Sequence, residues 1–313
     1  MRSSQNSNHT NRFMKIFILS VSESIYSTNR IYQEATARGH DVRIINHTKC
    51  TLKLRSGVRE VIYEGRNIIN EPDVIIPRIG ASVTANGAAV VREFEMNGVQ
   101  TSASSQGILS AQNKLRTLQV MNQNNIPIPD TVFSVNTENI EEQIQLLGGV
   151  PIIIKLQEGT HGSGVILAET EKSAKSMMDT LFTMQSSFIL QEFIQESNSE
   201  DIRVLVVGDK VISAMKRKGT IDDFRSNIHR GGSGSKVLLT KAEQQIAIDA
   251  AGYLGLPIAG VDLIRSKRGP LLIEVNSTPG LQGIEAYTAI NVAKGMVKYI
   301  ERKCSKRGFK IRK

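Results

Sequence analysis

No apolar run in the 313 residues approaches the roughly 20 needed to cross a bilayer. The first thirteen residues are polar, rich in Ser and Asn, and lack an apolar core, so they do not read as a secretory signal. Residues 1–13 are expected to be a disordered extension, with the folded chain opening near Met14. Cysteine is scarce: Cys50 and Cys304 stand far apart, in no metal-type spacing. That pattern reads as two free thiols in a reducing, cytoplasmic setting and gives no disulfide framework. None of the five histidines has a His-x-x-x-His spacing, which removes the simplest zinc signal. There is no internal repeat and no low-complexity segment.

Two nucleotide signatures are also missing. No Gly-x-Gly-x-x-Gly follows the first strand-like run, Lys15–Val21, which weakens a dinucleotide-binding reading. The glycine-rich stretch near residue 160 is not followed by Gly-Lys-Ser/Thr, so it is not a Walker A loop. The net charge of +9 suggests nucleic acid until it is located. Seven basic residues and no acidic ones lie between Arg302 and Lys313, which leaves only +2 for the rest of the chain. The charge is mostly a tail (either solvated or in contact with rRNA, a ribosome or an acidic partner), and no basic face of a whole domain is implied.

What is present has two characters. Over about 14–103, strand-like runs (15–21, 42–45, 74–79) alternate with helical patterns (28–38, 84–97), as in a parallel α/β sheet covered on both faces. A helix is expected over 104–124, ending before Pro127 and Pro129. Beyond it, short strands at 152–156, 165–169, 188–193, 201–207 and 210–216 crowd together, with helices at 137–147 and 171–184. This is an α+β pattern with an antiparallel sheet. A helix at 240–254, strands at 258–265 and 270–276 and a last helix at 284–303 complete the chain. The expected divisions are 14–103, 104–195, 196–302 and a basic tail at 303–313.

The most informative chemistry lies in the last strand pair. If the hairpin is centred on Arg268, Asp262 and Glu274 are cross-strand partners, with Cβ atoms about 5 Å apart. Asn276, two residues on, shares their face. Carboxylates that close need a cation, and hard oxygen ligands suit Mg²⁺ or Mn²⁺. The spacing places no basic residue directly between them. The second feature is Lys155 at a strand end, followed by the loop Glu158-Gly159-Thr160-His161-Gly162-Ser163-Gly164. It reads either as a flap laid over phosphates or as a plain flexible hairpin. The third is the charged loop Asp222–Gly232, where Arg225 and Asn227 either stabilise developing negative charge or are merely solvated. Gln191-Glu192-Phe193-Ile194 ends an apolar strand where a carboxylate and backbone amides can read an adenine edge.

In this order, these features resemble an ATP-grasp ligase, and the chain is similar to the RimK type, the ribosomal-protein modification enzymes that append glutamate. The likeness runs from about Met14 to Arg302. Its markers are Arg78-Ile79-Gly80, Asn113-Lys114, Lys155 with Glu158-Gly159-Thr160, Gln191-Glu192-Phe193-Ile194 and Asp201-Ile202-Arg203. Further on come Asp223-Phe224-Arg225-Ser226-Asn227, His229-Arg230-Gly231-Gly232, Ala259-Gly260-Val261-Asp262 and Glu274-Val275-Asn276-Ser277-Thr278-Pro279-Gly280.

The resemblance implies an ATP-grasp fold: a parallel pre-ATP-grasp domain followed by two α+β subdomains that clasp ATP. It implies that Lys114, Lys155, Gly159, Thr160, Gly162 and Gly164 contact the nucleotide, with Glu192 and Phe193 at adenine and Asp201 on the ribose. Arg225, Ser226 and Asn227 would face the triphosphate and the acceptor, and Arg225 and Lys155 would be catalytic. Asp262, Glu274 and Asn276 would hold two Mg²⁺ or Mn²⁺ ions. The implied reaction adds L-glutamate to the C-terminus of a protein, such as the sixth small-subunit ribosomal protein, through an acyl phosphate. A homo-oligomer with no membrane contact is expected, with ribosome contact through the tail. The competing readings are an ATP-grasp ligase for another amino acid, peptide or cofactor, and a non-catalytic ribosome- or RNA-binding protein.

Overall fold

The computed structural model of the protein describes residues 13–135, 139–157, 164–220 and 232–306. Strand β1 (Lys15–Leu19) is buried along almost its whole length, and it leads into helix α1 (Tyr26–Ala37) and β2 (Asp41–Ile45). Next come three short strands, β3 (Thr51–Arg55), β4 (Val58–Tyr63) and β5 (Arg66–Asn67), which pair antiparallel in a sheet of their own. Sequence patterning missed this sheet because its strands are half exposed and carry no long apolar run. The Leu/Lys alternation of Thr51–Arg55 and the Ser56-Gly57 turn were the available signals. Strand β6 (Val74–Pro77), helix α2 (Thr84–Met96) and β7 (Gln100–Thr101) complete a parallel sheet in the order β2-β1-β6-β7.

The single helix expected over 104–124 is two, α3 (Ser105–Gln112) and α4 (Lys114–Gln123). Asn113 between them is extended, and its side-chain oxygen accepts from the Arg116 amide. An Asn that caps the following turn competes with continuing the first helix, even inside an unbroken apolar pattern.

Strand β8 (Thr131–Val132), helix α5 (Ile140–Gln145), β9 (Ile152–Leu156), β10 (Val165–Ala168), α6 (Glu171–Thr183) and β11 (Phe188–Glu192) form the next layer. Its sheet is antiparallel, in the order β10-β9-β11-β8. Ile152, Ile154, Phe188 and Leu190 pack with Ile140, Ile144, Ala174 and Met178 of the two helices. The period of two in a strand therefore turns Ile153, Lys155, Ile189 and Gln191 to the opposite face.

The largest sheet runs β14-β13-β12-β15-β16, all antiparallel. Its members are β12 (Glu200–Val207), β13 (Lys210–Lys218), β14 (Ser233–Lys236), and, after helix α7 (Lys241–Tyr253), β15 (Ile258–Ser266) and β16 (Gly269–Asn276). Ile202, Val204, Val206, Val261, Leu263 and Val275 bury one face in the core that includes Ala247 and Ala250 of α7.

The expected last helix is again two, α8 (Gln282–Thr288) and α9 (Val292–Lys306). Ala289 takes a left-handed conformation (φ +57°). The Glu285 side chain reaches forward so that Oε1 accepts from the Val292 and Ala293 amides at 2.9 and 3.2 Å. A carboxylate on the first-turn amides of a helix is favourable, and here it starts a second helix where the periodicity suggests one. None of the described helices is long and apolar enough to cross a membrane.

Candidate active site

Strands β12, β13, β15 and β16 carry one polar face. Register pairs Asp201 with Arg217, Arg203 with Asp262, and Asp262 with Glu274. Asn276 lies opposite Gly260, on the same face. The Asp262–Glu274 pairing expected from spacing is present, by a different route. The turn is Lys267-Arg268, closed by Ser266 opposite Gly269, and a bulge between Asp262 and Leu263 supplies the one-residue shift that brings Glu274 across from Asp262.

Two arginines that the spacing did not reveal stand at Asp262, on the side of β15 away from Glu274. The Arg203 guanidinium grips Asp262 through both carboxylate oxygens, and Arg217 Nη2 reaches Oδ2 at 2.9 Å. Arg217 also forms a two-point pair with Asp201, at 2.7 and 2.5 Å. Burial pushes the Asp262 carboxyl up, but Arg203 and Arg217 outweigh it and hold the group below its ordinary range. The same carboxylates raise Arg217 against its own burial. These partners were invisible because nothing local in the sequence states that β12 lies between β13 and β15.

A carboxylate offers about four lone-pair positions, and the arginines occupy three of those on Asp262. Glu274 makes no hydrogen bond or ion pair among the described residues. The donor set is thus two carboxylates and an amide oxygen, and no group of three or more His, Cys, Asp or Glu able to hold a metal occurs among the described residues. This suits Mg²⁺, which takes one or two carboxylates and completes its shell with phosphate and water.

Gly260 fits the site by its missing side chain. A Cβ there would lie 2.9 Å from Pro279 Cβ and 3.4 Å from Arg203 Cδ. The glycine lets the 276–281 segment close over the sheet.

Lys155 approaches from the other sheet. It is buried, and its Nζ donates to Gln191 Oε1, whose own amide nitrogen donates to Thr131 Oγ1 at 2.9 Å. Burial pulls its ammonium down, Glu274 raises it, Lys114 lowers it and Asp262 raises it, with a result of about 8. Lys155 thus feels the charges of Lys114, Glu274 and Asp262, although the four come from different elements. Lys114 is the first residue of α4, at a helix end that itself favours anions. Asn113 Nδ2 ties this end to Gln157 Oε1 at 3.2 Å.

The remaining expected residues divide. Phe193 follows β11 and is half-buried. The Glu192 carboxylate, expected at adenine, accepts from the Asp130 amide at 2.7 Å and pairs with Arg268, tying β11 to the tip of the β15–β16 turn. Asp201, expected at the ribose, holds Arg217. Gly164 closes the β9–β10 hairpin at φ +75°, and an added Cβ would lie 2.6 Å from Leu156 Cδ1, so the backbone itself requires glycine. Gly159, Thr160, Gly162, Arg225, Ser226 and Asn227 lie outside the described residues, as do residues 1–12 and the tail from 307.

Two sheets facing each other across lysines and paired carboxylates, beside a parallel α/β domain, define an ATP-grasp ligase, an enzyme that forms carbon–nitrogen bonds. Residues 111–300 match the RimK-like ATP-grasp domain and residues 14–108 the RimK pre-ATP-grasp domain. The chain belongs to the RimK-like ATP-grasp family. It is 46% identical over 299 residues to a probable alpha-L-glutamate ligase of Aliivibrio salmonicida, covering 96% of this chain and 99% of that one. A probable alpha-L-glutamate ligase of Picosynechococcus is 47% identical over 289 residues, 92% of this chain and 96% of that one. Among solved structures, the ATP-grasp ligase PsnB with a minimal precursor superposes with a TM-score of 0.73 at 16% identity, over 93% and 99% of the two chains. The D-alanine–D-alanine ligase of Bacillus anthracis with ATP gives 0.67 at 16%, over 94% and 100%. At that identity the two structures speak for the fold alone.

Proposed function

We propose that this protein joins the amino group of L-glutamate to a carboxylate of a protein or peptide acceptor, at the expense of ATP. The observation that carries the chemistry is the placement of Lys155, buried and under the joint influence of Glu274, Asp262 and Lys114. A buried lysine opposite two carboxylates is arranged for phosphate: the lysines face the phosphate oxygens and the carboxylates hold divalent cations. The relatives named as glutamate ligases support glutamate as the amine.

In the first step an acceptor carboxylate oxygen forms a bond to the γ-phosphorus, the bond to the β-phosphate oxygen breaks, and ADP leaves. In the second, the amine nitrogen attacks the acyl carbon, the C–O bond to phosphate breaks, and the amine proton passes to solvent. Lys155 and Lys114 neutralise phosphate oxygens throughout, since phosphoryl transfer depends on positioning and charge more than on covalent help. Asp262, Glu274 and Asn276 would hold Mg²⁺ or Mn²⁺, which supplies further neutralisation of phosphate charge when bound. Arg203 and Arg217 fix the Asp262 carboxylate so that its open lone pair keeps one direction. Phe193 and the β11 backbone supply the adenine contact, and the oxyanion role expected for Arg225 falls on a residue outside those described.

The protein is incubated with ATP, Mg²⁺, glutamate and candidate acceptors, among them ribosomal proteins with free C-termini. A mass ladder in glutamyl steps on one acceptor, with equal ADP release, is the expected result. ATP consumption that never depends on glutamate overturns the choice of amine. No ATP consumption with any acceptor overturns the ligase chemistry assigned to the site.

A further inference from the structure

Arg78 stands just past the C-terminal end of β6 and is only 6% exposed. Burial pulls its guanidinium down to about 10, and no carboxylate among the described residues pairs with it. Its Nη2 donates to the Pro279 carbonyl oxygen at 2.7 Å, while its Nε–H is buried without an acceptor. Two further donors on the segment it touches are in the same condition: the Asn276 side-chain nitrogen and the Thr278 hydroxyl. Three unanswered donors, one of them a buried cation, thus belong to one small region.

An uncompensated buried charge is strongly destabilising, and an apolar side chain would make the more stable packing if nothing anionic ever arrived. The nearby glycines Gly80 and Gly280 are exposed, so the region borders the solvent from which a ligand arrives. The position also suits one, because open parallel sheets bind ligands outside the carboxyl ends of their strands. Segment 276–281 (Asn-Ser-Thr-Pro-Gly-Leu) carries no acidic residue to repel an anion.

We propose that Arg78, with the Thr278 hydroxyl and the Asn276 amide, forms the subsite for a carboxylate of the incoming glutamate. This rests on the glutamate-ligase reading above. In that reading Lys155 and Lys114 serve the phosphates. The amino acid offers its amine to the reaction and keeps both carboxylates, and a site that selects it has to hold them in place. A guanidinium fork matches a carboxylate in geometry and charge, and the neutral donors fill its remaining lone pairs.

The test is equilibrium dialysis of radiolabelled L-glutamate against the full chain with ADP and Mg²⁺, which needs no acceptor. Arg78→Met is expected to weaken glutamate binding by at least about thirtyfold, with ADP binding within about twofold of wild type, and Arg78→Lys to recover part of the loss. Thr278→Val is expected to cost at least about tenfold and serves as the deciding variant if Arg78→Met does not fold. Competition by glutamine and by glutamate α-amide identifies which carboxylate is held, because amidating that group no longer matters in Arg78→Met. Unchanged glutamate binding in the folded variants overturns the subsite. Equal loss of ADP and glutamate also overturns it, reducing Arg78 to a clamp on Pro279. Wild-type protein that binds ADP but no glutamate removes the glutamate reading itself, and the subsite with it.

Discussion

Asp262 and Glu274 are opposite each other across β15 and β16, yet among the described residues only Asp262 is held by arginines. Asp262 is 3% exposed and held by Arg203 and Arg217, while Glu274 is half-buried and makes no hydrogen bond or ion pair among the described residues. Among the described residues the arginines thus fix one carboxylate, and the other is left for the cation proposed above.

This asymmetry separates two conservative substitutions. Asp262→Asn leaves two mostly buried guanidinium groups without their shared anion, and should cost about 3–5 kcal/mol of stability. Glu274→Gln removes a charge with no ion-pair partner among the described residues and should change stability by no more than about 1 kcal/mol. Both should cut ATP-dependent ligation by orders of magnitude. Urea unfolding followed by circular dichroism measures the first difference, and equal losses in the two variants would show that the arginines do not anchor Asp262.

Gly260→Ala should damage the site through packing alone. Its new methyl group would lie 2.9 Å from the Pro279 ring, which cannot swing aside as a flexible side chain could, and 3.4 Å from Arg203. A cost of about 1–3 kcal/mol is expected, together with weaker binding of the Mg²⁺–nucleotide. Gly280→Ala is the control: nothing lies within 4 Å of its added Cβ. Melting temperatures that fall equally for both variants would remove the close-packing argument.

The division into legible and illegible parts follows from how local each cause is. Asp262 facing Glu274 was readable because a hairpin relates neighbouring segments, although the centring on Arg268 stood in for a two-residue turn plus a bulge. Lys155 was readable from its strand and the glycines after it, but its company with Lys114 and Glu274 depends on two sheets meeting. Arg203 sits in an apolar strand and Arg217 in the basic end of β13, and in both places a basic residue looks like an exposed position. Their roles emerge only once the order β13-β12-β15 is known. Arg78 gave a marker without a meaning, since no sequence pattern reports that a guanidinium will be buried without a carboxylate. The helix breaks at Asn113 and Ala289 are made by side-chain caps inside runs whose periodicity continues across them.

The two cysteines should be chemically quiet. Burial pushes both thiols up to about 11, with Lys303 slightly lowering and Asp73 slightly raising Cys304. At pH 8 the thiolate fraction is then about a thousandth. Iodoacetamide should leave the native protein unmodified over a time that fully alkylates both residues in urea, as read by intact mass. Rapid single labelling of native protein would contradict the burial of the residue labelled.

Lys155 ties stability and nucleotide affinity to pH with opposite signs. Burial lowers its ammonium from 10.5 to about 8, against the pull of Glu274 and Asp262 and with the push of Lys114. Below about pH 8 both folded and unfolded chains carry the proton and the burial penalty is complete. Between about 8 and 10.5 the unfolded chain binds the proton and the folded one does not, so stability rises with pH across that window, by about 3 kcal/mol in all. Phosphate needs the charged form, so affinity for ATP should fall over the same range, and binding near pH 9 should take up a proton. Lys155→Met removes this group from both curves. The wild-type-minus-variant difference in unfolding free energy should climb from pH 8 to pH 10.5 while the difference in ATP affinity shrinks. Differences that stay flat would place the Lys155 titration outside this range and its ammonium away from the phosphates.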